Sequence, residues 1–203
     1  MEAVLDRTHW LREQAPNKPA HLGEFGLAND KWQPTEEMKQ SQELVDVHNA
    51  LWASALSGAS GTAMYWWWER LDQRNVYPTY RPVRDFIADV PWNGGEVQPA
   101  SIAVADERTR AVYLRAGSRV WLWLFRPTAS WQNVVIEKRT ASQAENVEVE
   151  LQELAAGSYR LQWWDTREGK VLLEKKASAV KGKLRVAAPP FTRDIACKIS
   201  PNK

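Results

Sequence analysis

The feature that most constrains this chain is a change of hydrophobic period at Pro91-Trp92-Asn93-Gly94-Gly95. Ahead of that turn-rich stretch, apolar residues recur at helical spacing between two short apolar runs. Behind it, short alternating runs are separated by turn residues, the pattern of antiparallel strands. The expected class is therefore α/β plus all-β, with residues 1–92 forming one unit and residues 97–203 the other.

In the first unit, residues 3–14 place Val4, Leu5, Trp10 and Leu11 on one stripe and Asp6, Arg7, Arg12 and Glu13 elsewhere, a surface helix stopped by Pro16 and Pro19. Pro19-Ala20-His21-Leu22-Gly23-Glu24-Phe25 reads as a buried parallel strand, a short apolar run bounded by Pro and Gly and closed by a lone acid. Thr35 can cap a helix over 35–57, with Glu36 and Glu37 in its first turn and Leu44, Val45, His48, Leu51, Trp52 and Leu56 at helical spacing. Residues 61–67, which run into Tyr65-Trp66-Trp67-Trp68, read as a second buried strand. A polar loop over 70–76 leads to a third helix over 78–88, with Tyr80, Val83, Phe86 and Ile87 on one face. That order implies a parallel pair with a right-handed crossover.

In the second unit, strands are expected near 100–105, 111–116, 119–125, 146–152, 158–164, 169–175, 182–187 and 193–199. In the run 119–125, Val120, Leu122 and Leu124 alternate with Trp121, Trp123 and Phe125, so both faces are apolar and the strand should be central in an antiparallel β-sandwich.

Composition narrows the partners. Lys+Arg total 27 against 25 Asp+Glu, a net charge of +2, so no field points to nucleic acid or an anionic membrane. No apolar run approaches the roughly 18 residues of a spanning helix, and Met1 to Arg7 shows no signal peptide. Cys197 is the sole cysteine, which excludes an internal disulfide and a multi-cysteine metal site and leaves the compartment open. No metal and no cofactor is expected. The 12 Trp stand against only 4 Phe. Indoles suit cores, and they also stack on sugar rings or bases; without a basic excess, carbohydrate is the better partner. Core packing must still account for most of them.

Glu24 closes its strand where parallel-sheet and barrel enzymes place their chemistry; the plainer reading is a strand-end carboxylate in a turn. Trp66 and Trp68 share one strand face by period two, with Tyr65 and Trp67 on the other. Either Trp66 and Trp68 face a sugar or all four rings fill the core. His48 and Trp52 lie one helical turn apart, as a subsite edge or as a packing pair. His21 should pack against a helix, and Cys197 should be a small buried side chain.

The segments Lys18-Pro19…Gly23-Glu24-Phe25-Gly26, His48-Asn49-Ala50-Leu51-Trp52-Ala53-Ser54 and Ser57-Gly58…Tyr65-Trp66-Trp67-Trp68 resemble the end of a (β/α)8-barrel glycoside hydrolase of the cellulase- and mannanase-like retaining type (clan A), specifically strands seven and eight with their helices. The second unit, with Gly157-Ser158-Tyr159, Trp163-Trp164-Asp165-Thr166 and Asp194-Ile195-Ala196, is similar to the sandwich appended to many such barrels. The resemblance implies a partial barrel segment of two parallel strands and three helices, a β-linked glycan as substrate, Glu24 as nucleophile, and Trp66 and Trp68 along the sugar subsite. It also implies a secreted or periplasmic full-length enzyme. A complete barrel takes about 250 residues and eight strands, and retention needs a second, acid/base carboxylate. The resembling family supplies that group from an Asn-Glu pair on strand four, to which no position here corresponds; Glu69 follows strand eight and is given no such role. The chain thus reads as a fragment of a larger retaining enzyme, or as a non-catalytic carbohydrate-binding or structural module. Two parallel strands leave open edges and an apolar face, to be covered by the second unit, a second copy or a missing barrel portion, and self-association or dependence on another chain is expected.

Overall fold

In the computed structural model, which describes residues 1–36, 39, 44–94 and 97–202, helices come first and strands follow. Among the described residues the helices are α1 (Glu2–Gln14), α2 (Val45–Leu56), α3 (Trp68–Gln73) and α4 (Arg81–Ile87), the last entered through a 3-10 turn at Tyr77–Tyr80. The strands are β1 (Gln98–Ile102), β2 (Arg110–Ala116), β3 (Arg119–Phe125), β4 (Glu148–Leu151), β5 (Gly157–Asp165), β6 (Lys170–Ala179), β7 (Leu184–Ala187) and β8 (Asp194–Pro201). Six of them form one antiparallel sheet in the order β1-β2-β3-β8-β5-β6, while β4 pairs only with β7.

The central position of β3 follows from its two apolar faces. It is hydrogen-bonded on both sides, with Trp123 opposite Val112 on β2 and Ala196 on β8, and every residue from Val120 to Phe125 is buried. Because side chains alternate, Trp121, Trp123 and Phe125 join the core shared with the helices. Val120, Leu122 and Leu124 join a second core with Val149 and Leu151 of β4 and Leu184 and Val186 of β7. The molecule has three layers, and β3 lies in the middle one.

Indoles fill the seam between helices and sheet. Trp52 of α2 stacks on Trp123 with ring centroids 6.3 Å apart and packs on Phe86 of α4 at 5.1 Å. Trp123 stacks on Phe125 at 4.4 Å, and Phe86 meets the edge of Trp164 at 5.7 Å. Each fully buried aromatic side chain contributes about 2–3 kcal/mol, so this seam is a large share of what joins the two halves. All of α2 except Asp46 is buried, as fits a helix caught between layers. Gly58, at φ +78°, ends it closely enough to the sheet that a Cβ there would meet Pro99 Cγ at 2.7 Å.

Four local expectations change. The helix over 35–57 is interrupted: Leu44, with φ −86° and ψ 57°, stands outside α2 and packs on the core instead; residues 37, 38 and 40–43 of that span lie outside the described residues, as do 95 and 96 at the boundary. The two expected parallel strands are extended segments that share a single parallel bridge, Phe25↔Tyr65. Two isolated strands are marginal in water, and Gly23, Gly26 and Gly61 weaken both further. Residues 68–73 form α3 within what reads as strand end and loop. His21 is exposed rather than packed on a helix, because its segment runs along the rim of this layer.

Candidate functional site

The two extended segments run side by side in parallel, with α2 as the crossover between them. Ser60 N–H donates to Ala20 O (2.8 Å), Met64 N–H to Leu22 O (3.1 Å), Phe25 N–H to Met64 O (2.9 Å) and Trp66 N–H to Phe25 O (2.7 Å). Phe25 and Tyr65, bridge partners, turn inward with ring centroids 5.2 Å apart. Alternation then puts Glu24, Met64 and Trp66 on the outer face. Glu24 is exposed, Met64 is 58% exposed and Trp66 50%. The structure thus brings Glu24 and Trp66 to one surface.

The inner face anchors that surface. The Tyr65 hydroxyl donates to the Asp46 carboxylate at the start of α2. Burial, reinforced by the Asp46 charge, pushes the Tyr65 phenol up. Burial also pushes the Asp46 carboxyl up, against the backbone N–H of Val47 and the Tyr65 hydroxyl. Trp67 turns back over the first segment: its Nε1–H donates to Leu27 O at 3.0 Å, and its ring meets Trp66 edge-on at 6.3 Å. Gly26 makes room for it, since a Cβ there would lie 3.0 Å from Trp67 Cδ1 and Nε1.

Trp68 reaches the surface by another route than period two. It is the first residue of α3, after the strand has ended, and is 65% exposed. His48 and Trp52 are not at this surface. They are 3% and 1% exposed, with ring centroids 6.2 Å apart, inside the aromatic seam. His48 Nε2 lies 2.8 Å from Asp194 Oδ2 at the start of β8, and Trp123 Nε1–H donates to the same oxygen at 2.9 Å. Burial opposes ionisation of Asp194, but the His48 charge and hydrogen bond, the Trp123 N–H and the more distant Arg167 outweigh it and hold the carboxyl below its usual range. This is a structural tie between α2 and the sheet. Asp194 escapes sequence reading because its partner lies 146 residues away.

Glu24 makes no hydrogen bond or ion pair among the described residues, and its carboxylate is open to solvent. Among the described residues no group of three or more His, Cys, Asp or Glu is placed to hold a metal ion, and no helix is long and apolar enough to cross a membrane. Cys197 is buried, which pushes its thiol well up. The surface offers an acceptor carboxylate and flat indoles on one face.

In comparisons by sequence, no family model and no curated protein matches. By structure, the chain is similar to a GH30 endoxylanase from Clostridium papyrosolvens, at TM-score 0.52 and 11% identity over 98% of this chain and 46% of that one. It is similar to a glycoside hydrolase family 5 protein from Bacteroides vulgatus, at TM-score 0.52 and 11% identity over 97% of this chain and 45% of that one. It is also similar to a noncanonic maltogenic alpha-amylase from Thermotoga neapolitana, at TM-score 0.50 and 13% identity over 98% of this chain and 46% of that one. The fold is glycoside hydrolase-like, and this chain spans just under half the length of the enzymes that share it.

Proposed function

We infer that this chain is the carbohydrate-facing, carboxyl-terminal portion of a retaining glycoside hydrolase-like protein acting on β-linked polysaccharide or oligosaccharide. Residues 1–92 are read as the segment equivalent to barrel strands seven and eight, and residues 97–203 as the appended β-sandwich. The observation that carries the reading is the exposed Glu24 on the same outer face as Trp66, within a glycoside hydrolase-like fold. In this reading Glu24 attacks the anomeric carbon, the glycosidic C–O bond breaks with its oxygen leaving protonated by the acid/base carboxylate, and water hydrolyses the resulting glycosyl-enzyme, while Trp66 and Trp68 stack on sugar rings. Retention requires an acid/base carboxylate roughly 5–5.5 Å from the nucleophile, and that group is supplied from outside this chain. His48 and Trp52 are assigned to packing.

The test is release of the phenol from aryl β-glycosides with good leaving groups, which depart without the acid/base carboxylate, comparing the protein with its Glu24→Gln form. Turnover that disappears in Glu24→Gln supports the enzyme; equal rates in both forms remove it. A second reading, a module that holds glycan without cleaving it, is favoured by the absence of any described group that orients the Glu24 carboxylate. Glycan binding without turnover, weakened by Trp66→Ala or Trp68→Ala, identifies that case.

A further inference from the structure

The most exposed large hydrophobic side chain among the described residues belongs to a residue that the site described above does not use. Trp32 is 83% exposed and has φ +58°. A bulky aromatic residue in the left-handed region is a backbone outlier, and such conformations persist only where the surroundings hold them. The holding groups are visible. Asn29 N–H donates to Gln33 O at 2.8 Å and Trp32 N–H to Asn29 O at 2.9 Å. The Asn29 side-chain oxygen accepts from Lys31 N–H at 2.9 Å and Gln33 N–H at 3.1 Å. Ala28 and Pro34 close the loop as an antiparallel bridge. The indole is therefore presented on a tied loop whose only strained residue is the one it displays.

The position of that loop links it to the proposed site. It leaves directly from Glu24-Phe25-Gly26-Leu27, and its base is fixed by the bond from Trp67 Nε1–H to Leu27 O. Its neighbours favour a sugar over a protein. Asn29, Asp30, Lys31 and Gln33 are all exposed around Trp32, so among the described residues of this loop the ring is set between polar donors and acceptors, where a protein-docking face would be a contiguous apolar patch. A pyranose offers the complement: a C–H face for the indole and hydroxyls for the rim.

We propose that Trp32 is an additional sugar-stacking platform, on the loop after Glu24, that binds a β-linked glycan chain at a ring beyond those held by Trp66 and Trp68. The assignment rests on the proposed function above. A remote platform engages only oligosaccharides long enough to reach it, so Trp32 discriminates by chain length.

The experiment is isothermal titration of cello- and manno-oligosaccharides of increasing length against the protein in its Glu24→Gln form, with Trp32→Ala, Trp32→Gly and Trp66→Ala added separately. Circular dichroism establishes that each variant is folded. Trp32→Ala and Trp32→Gly should both weaken binding of the longest oligosaccharides by about tenfold, one well-formed aromatic contact, and leave the disaccharides unchanged. Trp32→Gly should also raise the melting temperature, because glycine adopts the left-handed conformation freely. Weakening by Trp66→Ala with no length-dependent effect at Trp32 overturns the platform and leaves the site reading standing. Absence of binding to every glycan by the parent protein overturns both.

Discussion

Removing the imidazole of His48 should cost more stability than its size suggests, because it strips a partner from a fully buried carboxylate. His48 and Asp194 side chains are 3% and 5% exposed. Asp194 Oδ2 receives His48 Nε2 at 2.8 Å and Trp123 Nε1–H at 2.9 Å. Breaking a buried pair at one end costs about 3–5 kcal/mol. At roughly 2–4 °C per kcal/mol for a chain of this size, His48→Ala should lower the melting temperature by roughly 6–20 °C. Asp194→Asn keeps an acceptor for Trp123 and removes only the charge, so about 1.5–3 kcal/mol is expected. Because the two residues act on each other, the double variant should fall short of the sum by more than about 1 kcal/mol. Urea denaturation of the four proteins at neutral pH measures the cycle. Additivity within about 0.5 kcal/mol would refute the tie as an energetic unit. The acid limb gives a second check. A carboxyl held below its unfolded value contributes stability that is complete above about pH 3.9 and is lost as pH falls through the lowered folded value. Asp194→Asn should flatten that limb.

Trp52→Ala, at the centre of the aromatic seam, should destabilise by about 3–5 kcal/mol in the same denaturation assay; a loss under about 1 kcal/mol would mean that the seam closes around the gap. Gly26→Ala puts a Cβ 3.0 Å from the Trp67 ring and should loosen its bond to Leu27 at a cost of about 0.5–1.5 kcal/mol, seen as a changed near-ultraviolet circular dichroism spectrum; an unchanged spectrum would show that the indole yields without losing its place. The half-buried Glu150 is held down to about 2 by Lys183, then Arg185 and Gln152. Its side-chain chemical shift should titrate near that value, and Lys183→Ala should move the midpoint up toward the ordinary carboxylate range of about 4.3; no movement would show that the Lys183 bond is not formed in solution.

Legibility followed how much of the physics is local. The run Arg119–Phe125 is apolar on both faces and bounded by turns, so its limits and its central place could be read directly. The α1 helix was legible from its spacing and its prolines, but its buried face was not: Val4 and Thr8 are buried, while Trp10, expected on the apolar stripe, is 50% exposed. The segments around Glu24 and Tyr65 were harder. Their order and parallel direction follow from the intervening helix, but two isolated strands carrying Gly23, Gly26 and Gly61 hold only a single bridge. The site divided in the same way. Glu24 and Trp66 share a face because Phe25 pairs with Tyr65, a register between segments that spacing within either one does not display. Trp68 turned on the point at which extended backbone gives way to α3. For His48 the deciding partner, Asp194, lies on the last strand, and no spacing could announce it. Trp32 was missed because a polar turn such as Asn29-Asp30-Lys31 signals a loop and says nothing of the conformation of the residue that follows.

The arrangement of β3, with helices on one face and β4–β7 on the other, has a consequence for dissection of the molecule. The break in hydrophobic period near residue 93 marks where the chain changes architecture, but it is a poor place to cut. A fragment ending there would carry Trp52 and Phe86 into water, and the complementary fragment would expose Trp121, Trp123 and Phe125 as a flat aromatic wall. Each piece would aggregate through the surface that had joined them. Any dissection of the molecule should therefore keep the two halves together.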